Sequence, residues 1–336
     1  MIPRLNISFP LKRQWRNWFG KQYEPREGEY LLNHARTGIV MALRAALPNG
    51  GRVGVVAYNC HTVANAVVNA GCKPVFVDIT EELTIDVVSV PMDLDAIVVT
   101  NLFGIRNDVD AIRKRCPDSI IIVDNAHGYG LPAEGDFTVY SINQGKFPAL
   151  GPGGILVVSQ KLPTIIQKLI EEQYAALPGY DFIAQVKLFA QMLIKALAYS
   201  RCMYWLTVKM KKSSNPKVYQ DVVMKKMAPG IRRIYKAYLP KVADAIAMQK
   251  QNATNIGHWI LDNGDLIVGE NAFMAVVRCE NPVALQKEYA KRGVETATHF
   301  SRCIDWVKQF GYVLGSCPNA ERLVNKLLMI PTYTKI

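Results

Sequence analysis

The sequence contains no CxxC cysteine pair, no secretory signal and no uninterrupted membrane span. Its seven cysteines are scattered, and their odd number favours reduced thiols in a cytoplasm over a disulfide framework. Residues 1–6 lack the long apolar core that a signal peptide needs. We therefore predict a cytoplasmic protein with mostly structural cysteines and no metal site.

Acidic residues are also scarce. The chain has 28 Asp and Glu against 40 Lys and Arg, which gives a net charge of +12. No DNA- or RNA-binding motif accompanies this excess, so we predict no nucleic-acid partner. The excess concentrates in Lys12 to Lys21 and in Lys187 to Lys226, and the second stretch alternates with apolar residues. Such a surface suits anionic lipid or phosphorylated substrates; the alternative is a solvated basic face without a partner.

The most apolar segment runs from Phe182 to Met210. Lysine, arginine and glutamine residues interrupt any run of about 20 apolar residues in it, which argues against a transmembrane helix. Two interpretations remain open. One is an interfacial helix that makes peripheral membrane contact through residues 182–212, and the other is a core or dimer-contact helix.

Short apolar runs alternate with helical patterns along the first half of the chain. The residues are 50% hydrophobic, enough to bury one large domain and a smaller one. After a helical pattern at 31–47, the sequence predicts helices at 62–69 and 109–115 and strands at 53–56, 74–77, 96–100, 120–123, 137–141 and 155–158. This alternation predicts an α/β fold of three layers, a mainly parallel sheet covered on both faces.

We predict three parts of the chain. Residues 1–28 form an amphipathic lead-in with six basic side chains. Residues 29–230 form the large domain, with a helical basic insert at about 160–228. Residues 231–336 comprise a long crossover helix, 231–261, and a small α+β domain. Within the small domain, strands are predicted at 265–268, 272–279, 294–300 and 327–330 around a helix at 282–292.

Three chemically active side chains follow strand ends between Ile120 and Gly154. Asp124 ends one strand, Ser141 ends a second, and Lys146 stands before a glycine-rich turn. Ligands of parallel sheets lie beyond the carboxyl ends of the strands. There an acid can hold a protonated pyridine nitrogen, a hydroxyl can bind a phosphate oxygen, and a lysine can form a Schiff base. The cofactor that combines a pyridine ring, a phosphate and an aldehyde is pyridoxal 5′-phosphate.

The spacing around these residues resembles a known family. The motifs run in the family's order, and they read Val123-Asp124-Asn125-Ala126-His127, Tyr140-Ser141-Ile142-Asn143-Gln144-Gly145-Lys146 and Gly151-Pro152-Gly153-Gly154. Over about residues 31–158, and more weakly elsewhere, the chain is similar to the DegT/DnrJ/StrS sugar aminotransferases. That resemblance implies the fold-type I architecture of pyridoxal-phosphate enzymes and a homodimer with its sites at the subunit interface.

The resemblance also implies roles for individual residues. Lys146 is the catalytic lysine, and Asp124 keeps the ring nitrogen protonated, although an aspartate here can also be a helix N-cap. His127 takes the place of the family's Gln or His, which bonds the ring hydroxyl. Arg36 and Thr37, together with Ser141, are assigned to the phosphate at a helix start; Thr37 can instead be a simple cap.

The sequence departs from the family pattern at two places. Where the family has an aromatic residue that stacks on the cofactor ring, this chain has Cys60 with His61 beside it. The family's asparagine-containing turn before the crossover helix is replaced by residues 227–233. His299, which follows a predicted strand, stands where the family often lines its substrate pocket, and it can equally be structural.

These expectations combine into one functional hypothesis. The chain is predicted to transfer an amino group from a donor, by resemblance glutamate, to a nucleotide-linked keto sugar. Two alternatives stay open. The first is a pyridoxal-phosphate sugar dehydratase, although family dehydratases lack the lysine that this chain keeps. The second is a non-catalytic or membrane-associated protein that has inherited the fold.

Overall fold

A computed structural model describes residues 14–198, 219–257 and 264–333. Its larger sheet has seven strands, numbered here in chain order: β1 (Glu29–Leu32), β2 (Arg52–Val56), β3 (Lys73–Val77), β4 (Ala96–Thr100), β5 (Ile120–Asn125), β6 (Phe137–Ser141) and β7 (Gly154–Val158). Across the sheet the order is β1-β7-β6-β5-β4-β2-β3. β7 pairs antiparallel with both β1 and β6, and the other pairs are parallel.

Helices cover both faces of this sheet. They are α1 (Ala35–Ala46), α2 (His61–Asn69), α3 (Val109–Arg115), α4 (Thr164–Ala176) and α5 (Phe182–Ala198). β4 is buried at all five positions and reads Ala-Ile-Val-Val-Thr, as expected for a strand with apolar layers on both sides. One large core lies on each face, the first around Ile97 and Val99 and the second around Val98 and Leu43.

The remaining chain forms two consecutive helices and a small sheet. The helices are α6 (Pro229–Tyr238) and α7 (Val242–Gly257). The sheet contains β8 (Asp265–Val268), β9 (Met274–Arg278) and β10 (Leu327–Pro331), all antiparallel in the order β10-β9-β8. Three further helices are α8 (Pro282–Lys291), α9 (Cys303–Lys308) and α10 (Pro318–Leu323).

The predicted fold class is confirmed: the larger sheet is mainly parallel and has helices on both faces. Every strand predicted between residues 53 and 158 is present to within one or two residues at its ends. The division into a lead-in, a large domain and a small domain stays a prediction. Residues 1–13 of the lead-in and residues 199–212 of the apolar segment lie outside the described residues.

Three predicted elements were wrong in detail. The helix predicted from residue 31 begins only at Ala35, because residues 29–32 pair with β7 as the edge strand β1. The long crossover helix is broken at residues 239–241, where Pro240 has no N–H to continue the ladder; its predicted end at residues 258–261 lies outside the described residues. The strand predicted at 294–300 is reduced to isolated bridge residues, and the bridge at Ala297 pairs with Met329.

Within the described ranges, no helix has both the length and the apolar character needed to cross a membrane.

Candidate active site

Two neighbouring strands deliver the acid and the hydroxyl of the site. Asp124 lies near the carboxyl end of β5 and is buried, and Ser141 is the last residue of β6. Because β5 and β6 are parallel, both side chains reach the same edge of the sheet. No helix follows Asp124 before β6, so the N-cap interpretation is wrong. The Asp124 Oδ1 atom instead accepts a hydrogen bond of 2.9 Å from the Ala126 N–H.

Lys146 reaches this edge from the loop between β6 and β7. Its Nζ atom lies 2.6 Å from His127 Nε2, and both side chains line one cavity together with Asp124 and Ser141. The cavity has a volume of about 100 Å³. The structure therefore brings these four predicted site residues together in one cavity, and their roles stay a prediction.

The hydrogen bonds of His127 fix the proton on its ring. The Phe103 backbone N–H donates to His127 Nδ1 over 3.1 Å. Burial holds the pKa of His127 well below its usual value, so the ring is neutral. With Nδ1 accepting, the single proton lies on Nε2, which then donates to Lys146 Nζ. An amine that accepts a hydrogen bond must be neutral.

Burial acts on the lysine in the same direction. It lowers the pKa of Lys146, while electrostatic interactions with Cys60 and Asp124 oppose the change. Desolvation disfavours the ammonium form, so the neutral amine becomes accessible at a lower pH than for a free lysine. Burial also raises the pKa of Asp124, against the Ala126 N–H and Lys146, which lower it. A cation placed beside Asp124 would stabilise the ionised carboxylate and so offset the cost of burying it.

Three phenylalanine rings surround the His127 imidazole. Phe103, Phe273 and Phe300 have ring centroids 5.4, 5.0 and 6.1 Å from it, all in stacked orientations. Phe103 and Phe300 have left-handed backbone conformations, with φ of 53° and 59°. Bulky residues rarely adopt this region, and such strain persists where the surrounding structure holds it. The His127 ring is thus held in one orientation.

The cavity wall also offers a cation, Arg36. Arg36, in the first turn of α1, lines the cavity and makes no hydrogen bond or ion pair within the described part of the chain. His34 also lines the cavity, and burial, reinforced by Arg36, lowers the pKa of His34 to about 4. His34 is therefore neutral at pH 7, and the guanidinium is the positive group of the two. A half-buried guanidinium without a partner is suited to an anion.

The side wall of the cavity is formed by residues after β2 and β4. Asn59 donates from Nδ2 to Thr100 Oγ1 over 2.9 Å and accepts from the Cys60 N–H over 2.7 Å. Cys60 lines the cavity in the position where the family carries a stacking aromatic residue, and Ala126 also lines it. These two small side chains leave room for a flat ring.

Three predicted site residues do not line the cavity. The Thr37 hydroxyl is buried and donates to Asn33 Oδ1 over 2.8 Å, so it is already used inside the protein. The His61 ring packs edge-on against Trp306, with centroids 5.1 Å apart. His299 lies beside the site, and its neighbour Phe300 occupies the wall instead.

Sequence reasoning missed the residues that the smaller sheet contributes. Asn271 donates from Nδ2 to the carbonyl oxygens of His127 and Tyr129 over 2.8 and 3.1 Å, and so holds the loop that carries His127. A Cβ atom on Gly104 would lie only 2.1 Å from the Asn271 side chain, which explains the glycine in Leu102-Phe103-Gly104. No local pattern around Asn271 or Phe300 marks them, because more than 140 residues separate Asn271 from its partners.

The glycine-rich turn after Lys146 has a packing reason. A Cβ atom on Gly154 would lie 2.2 Å from the His34 carbonyl carbon and 2.3 Å from the Ala35 nitrogen. Both contacts are with backbone, which cannot move aside like a flexible side chain. Gly154 therefore allows β7 to pass directly under the start of α1, where Arg36 is presented.

Replacing Gly154 by alanine is expected to destabilise the protein by about 1–3 kcal/mol, the usual cost of overpacking, because α1 must shift. Denaturant unfolding measures the effect. Gly179→Ala is the matched control, since an added Cβ there meets nothing within 4 Å. Equal unfolding midpoints for the two variants would contradict the packing argument.

Comparison with known proteins shows which family this site resembles. A family model described as the DegT/DnrJ/EryC1/StrS aminotransferase family matches residues 31–171, the stretch that contains Arg36, Asp124, His127, Ser141 and Lys146. Over these residues the chain is similar to the members of that family. The resemblance drawn from the sequence is confirmed. No curated protein matches the chain by sequence.

Solved structures extend the similarity over nearly the whole chain. Sugar aminotransferase CalS13 from Micromonospora echinospora superposes with a TM-score of 0.73 at 15% identity, covering 99% of this chain and 95% of that one. DesI, solved with its TDP-sugar product, gives a TM-score of 0.65 at 18% identity and covers 90% and 75%. The E. coli GDP-4-keto-6-deoxy-D-mannose-3-dehydratase, solved with bound hydrated PLP, gives 0.66 at 18% identity and covers 95% and 86%. At these identities the similarity establishes the fold of the chain.

Proposed function

We propose that this aminotransferase-family protein uses pyridoxal 5′-phosphate to move an amino group from glutamate to a nucleotide-linked keto sugar. The observation that carries the proposal is one cavity with the Lys146 amine, the buried Asp124 carboxylate and the unpaired Arg36 guanidinium on its walls. The family match supports the reaction class. The ligands named for DesI and for the E. coli dehydratase support the sugar nucleotide and the cofactor.

The residues of the cavity fit this cofactor. Asp124 is a buried acid whose pKa is raised by burial, and a protonated ring nitrogen beside it would stabilise its ionised form. Arg36 and the Ser141 hydroxyl suit the phosphate, and Cys60 and Ala126 leave space for the ring faces. When bound, the cofactor supplies an aldehyde that condenses with amines and a ring that withdraws electrons.

The protein's own groups then divide the remaining work. Asp124 keeps the ring nitrogen protonated, and Arg36 and Ser141 orient the phosphate. His127 donates to Lys146 Nζ, which keeps the lone pair of that nitrogen on a neutral amine. Nζ can therefore accept the proton from the α-carbon of the amino donor and return it later in the reaction. Phe300 shields this transfer from water.

The half-reaction with glutamate tests the proposed function. The purified protein, loaded with pyridoxal phosphate, is expected to lose the visible absorption of the aldehyde form when glutamate is added and to release 2-oxoglutarate. Alanine and aspartate serve as competing donors. Absence of any spectral change with every amino acid tried, in a protein that has bound the cofactor, would exclude transamination.

The alternative function to be distinguished from transamination is that of a sugar dehydratase. It would accept the amino form of the cofactor and eliminate water from the keto sugar, without a catalytic lysine of this kind. The presence of Lys146, with Nζ 2.6 Å from His127 Nε2, favours transamination. Analysis of the sugar product by mass separates the two, because only transamination replaces a carbonyl oxygen with nitrogen.

Arg36→Gln is expected to weaken cofactor binding by about 10- to 100-fold, since a charged hydrogen bond contributes about 1.5–3 kcal/mol. Titration of apoprotein with pyridoxal phosphate measures the dissociation constant. Arg292→Gln is the control, because Arg292 pairs with Glu288 on the exposed surface of α8. If both variants bind the cofactor equally, Arg36 does not hold the phosphate.

We also propose a homodimer in the cytoplasm that serves polysaccharide or amino-sugar synthesis. Support comes from the family, whose fold-type I members are expected to join their sites at a subunit interface. Sedimentation analysis at several concentrations tests the dimer, and a monomer across the whole range would contradict it.

A further inference from the structure

The net positive charge of the chain equals the charge of two segments that contain no acidic residue. Residues 1–23 hold five Lys and Arg, and residues 182–220 hold seven, with no Asp or Glu in either. Together they equal the net charge of +12, so the rest of the chain is electrically balanced. Basic residues scattered for solubility alone would not separate in this way.

The structure brings the described parts of these segments together. The Trp18 ring, in the short helix Gln14–Phe19, packs against Phe189 of α5 with centroids 5.1 Å apart. Trp18 also lies against Gly230 of α6, where any Cβ atom would overlap its ring. The described parts of the two segments, residues 14–21 and 182–198, are therefore in contact, and they are named here the basic-apolar face.

α5 exposes apolar side chains on the side away from the protein. Leu188, Met192 and Ala196 are buried. Phe182, Ile183, Val186, Ile194 and Leu197 are exposed by 78%, 64%, 50%, 66% and 54%, and Phe19 of the other segment by 72%. At 100° per residue, the exposed apolar positions of α5 fall within one stripe about 120° wide, with Lys187 at its edge. The helix therefore has two apolar sides, of which one is covered.

We propose that the basic-apolar face binds the surface of an anionic phospholipid membrane. The exposed stripe would enter the boundary between headgroups and acyl chains, while the lysines and arginines contact lipid phosphates and carboxylates. Charge complementarity selects this occupant. A second copy of the chain would bring the same positive face against itself. A nucleic acid would satisfy the charge but leave exposed isoleucine, valine and leucine side chains without a partner.

Vesicle co-sedimentation of the full-length protein tests the proposal. Binding is expected to phosphatidylcholine vesicles that contain phosphatidylserine, and at least about ten-fold weaker binding to phosphatidylcholine alone. Ile183→Ser with Ile194→Ser removes apolar contact, and Lys187→Glu with Lys195→Glu reverses charge. Each pair is expected to lower vesicle binding by about ten-fold or more, without changing the unfolding midpoint.

A matched pair elsewhere on the surface serves as control. Val88→Ser with Val313→Ser alters side chains that are 82% and 70% exposed but lie outside the basic-apolar face, and vesicle binding is expected to stay unchanged. Equal binding by all variants would overturn the proposal. So would binding to a single-stranded oligonucleotide without binding to charged vesicles. Conversion of a dimer to a monomer by the isoleucine pair, with no vesicle binding by the unmodified protein, would assign the face to a second subunit.

Discussion

Lys146→Ala is expected to abolish amino-group transfer, with the half-reaction rate falling by at least about 10²–10⁴-fold, the range for losing a positioned proton-transfer group. The neutral amine is the group placed to move the proton, because His127 donates to it and burial lowers its pKa. No other lysine in the described part of the chain lines the cavity. Rapid-mixing absorbance with glutamate measures the loss.

Cofactor retention separates a catalytic defect from a binding defect. Because Arg36 and Ser141 remain, Lys146→Ala is expected to retain cofactor through the phosphate while losing the spectrum of the linked form. Lys161→Ala, on an exposed residue before α4, is the matched control and should react normally. A Lys146→Ala protein that still converts glutamate at the original rate would disprove the assigned role.

The core of the site could be predicted because it depends on local spacing. Asp124 and Ser141 end adjacent parallel strands, so their meeting follows from the α/β alternation alone. Lys146 follows Ser141 by five residues in the same loop and can hardly lie far from it. The fold of the large sheet was predictable for a related reason, since its buried strands are continuous apolar runs.

The rest of the site depends on contacts between distant residues, which no local pattern encodes. Phe300 and Asn271 reach His127 from beyond the crossover helices. The Thr37 hydroxyl was a reasonable phosphate ligand from sequence, but the turn of α1 directs it to Asn33. The edge strand β1 was misread because its four residues show no alternation, and only the pairing with β7 makes them a strand. The helix break, by contrast, could have been predicted from Pro240.

Asp124→Asn is expected to reduce kcat/KM for the glutamate half-reaction by about 10²–10³-fold. The substitution preserves shape, and an amide oxygen can still accept from the Ala126 N–H. What is lost is the negative charge opposite the ring nitrogen, and breaking a buried charge pair costs about 2–5 kcal/mol. Steady-state and rapid-mixing kinetics with the loaded protein measure this effect.

The same variant is not expected to destabilise the apoprotein, in contrast to its harmful effect on the reaction. Burial raises the pKa of Asp124 in the folded state, so the folded protein holds this proton more tightly than the unfolded chain does. The ionised carboxylate therefore costs stability at neutral pH, and the cost disappears as the pH falls below the unfolded value of about 3.9. Asp124→Asn should leave apoprotein stability at pH 7 equal or higher.

Denaturant unfolding at pH 7, with and without pyridoxal phosphate, tests both expectations. The cofactor should stabilise the unmodified protein more than Asp124→Asn, because only the former offers a carboxylate to the ring nitrogen. A variant destabilised to the same extent with and without cofactor would show that Asp124 serves the backbone of the 124–127 loop. A variant with an intact apoprotein that loses the stabilisation by cofactor would instead assign the carboxylate to the ring nitrogen. Among the described residues, no other acidic side chain lines this cavity.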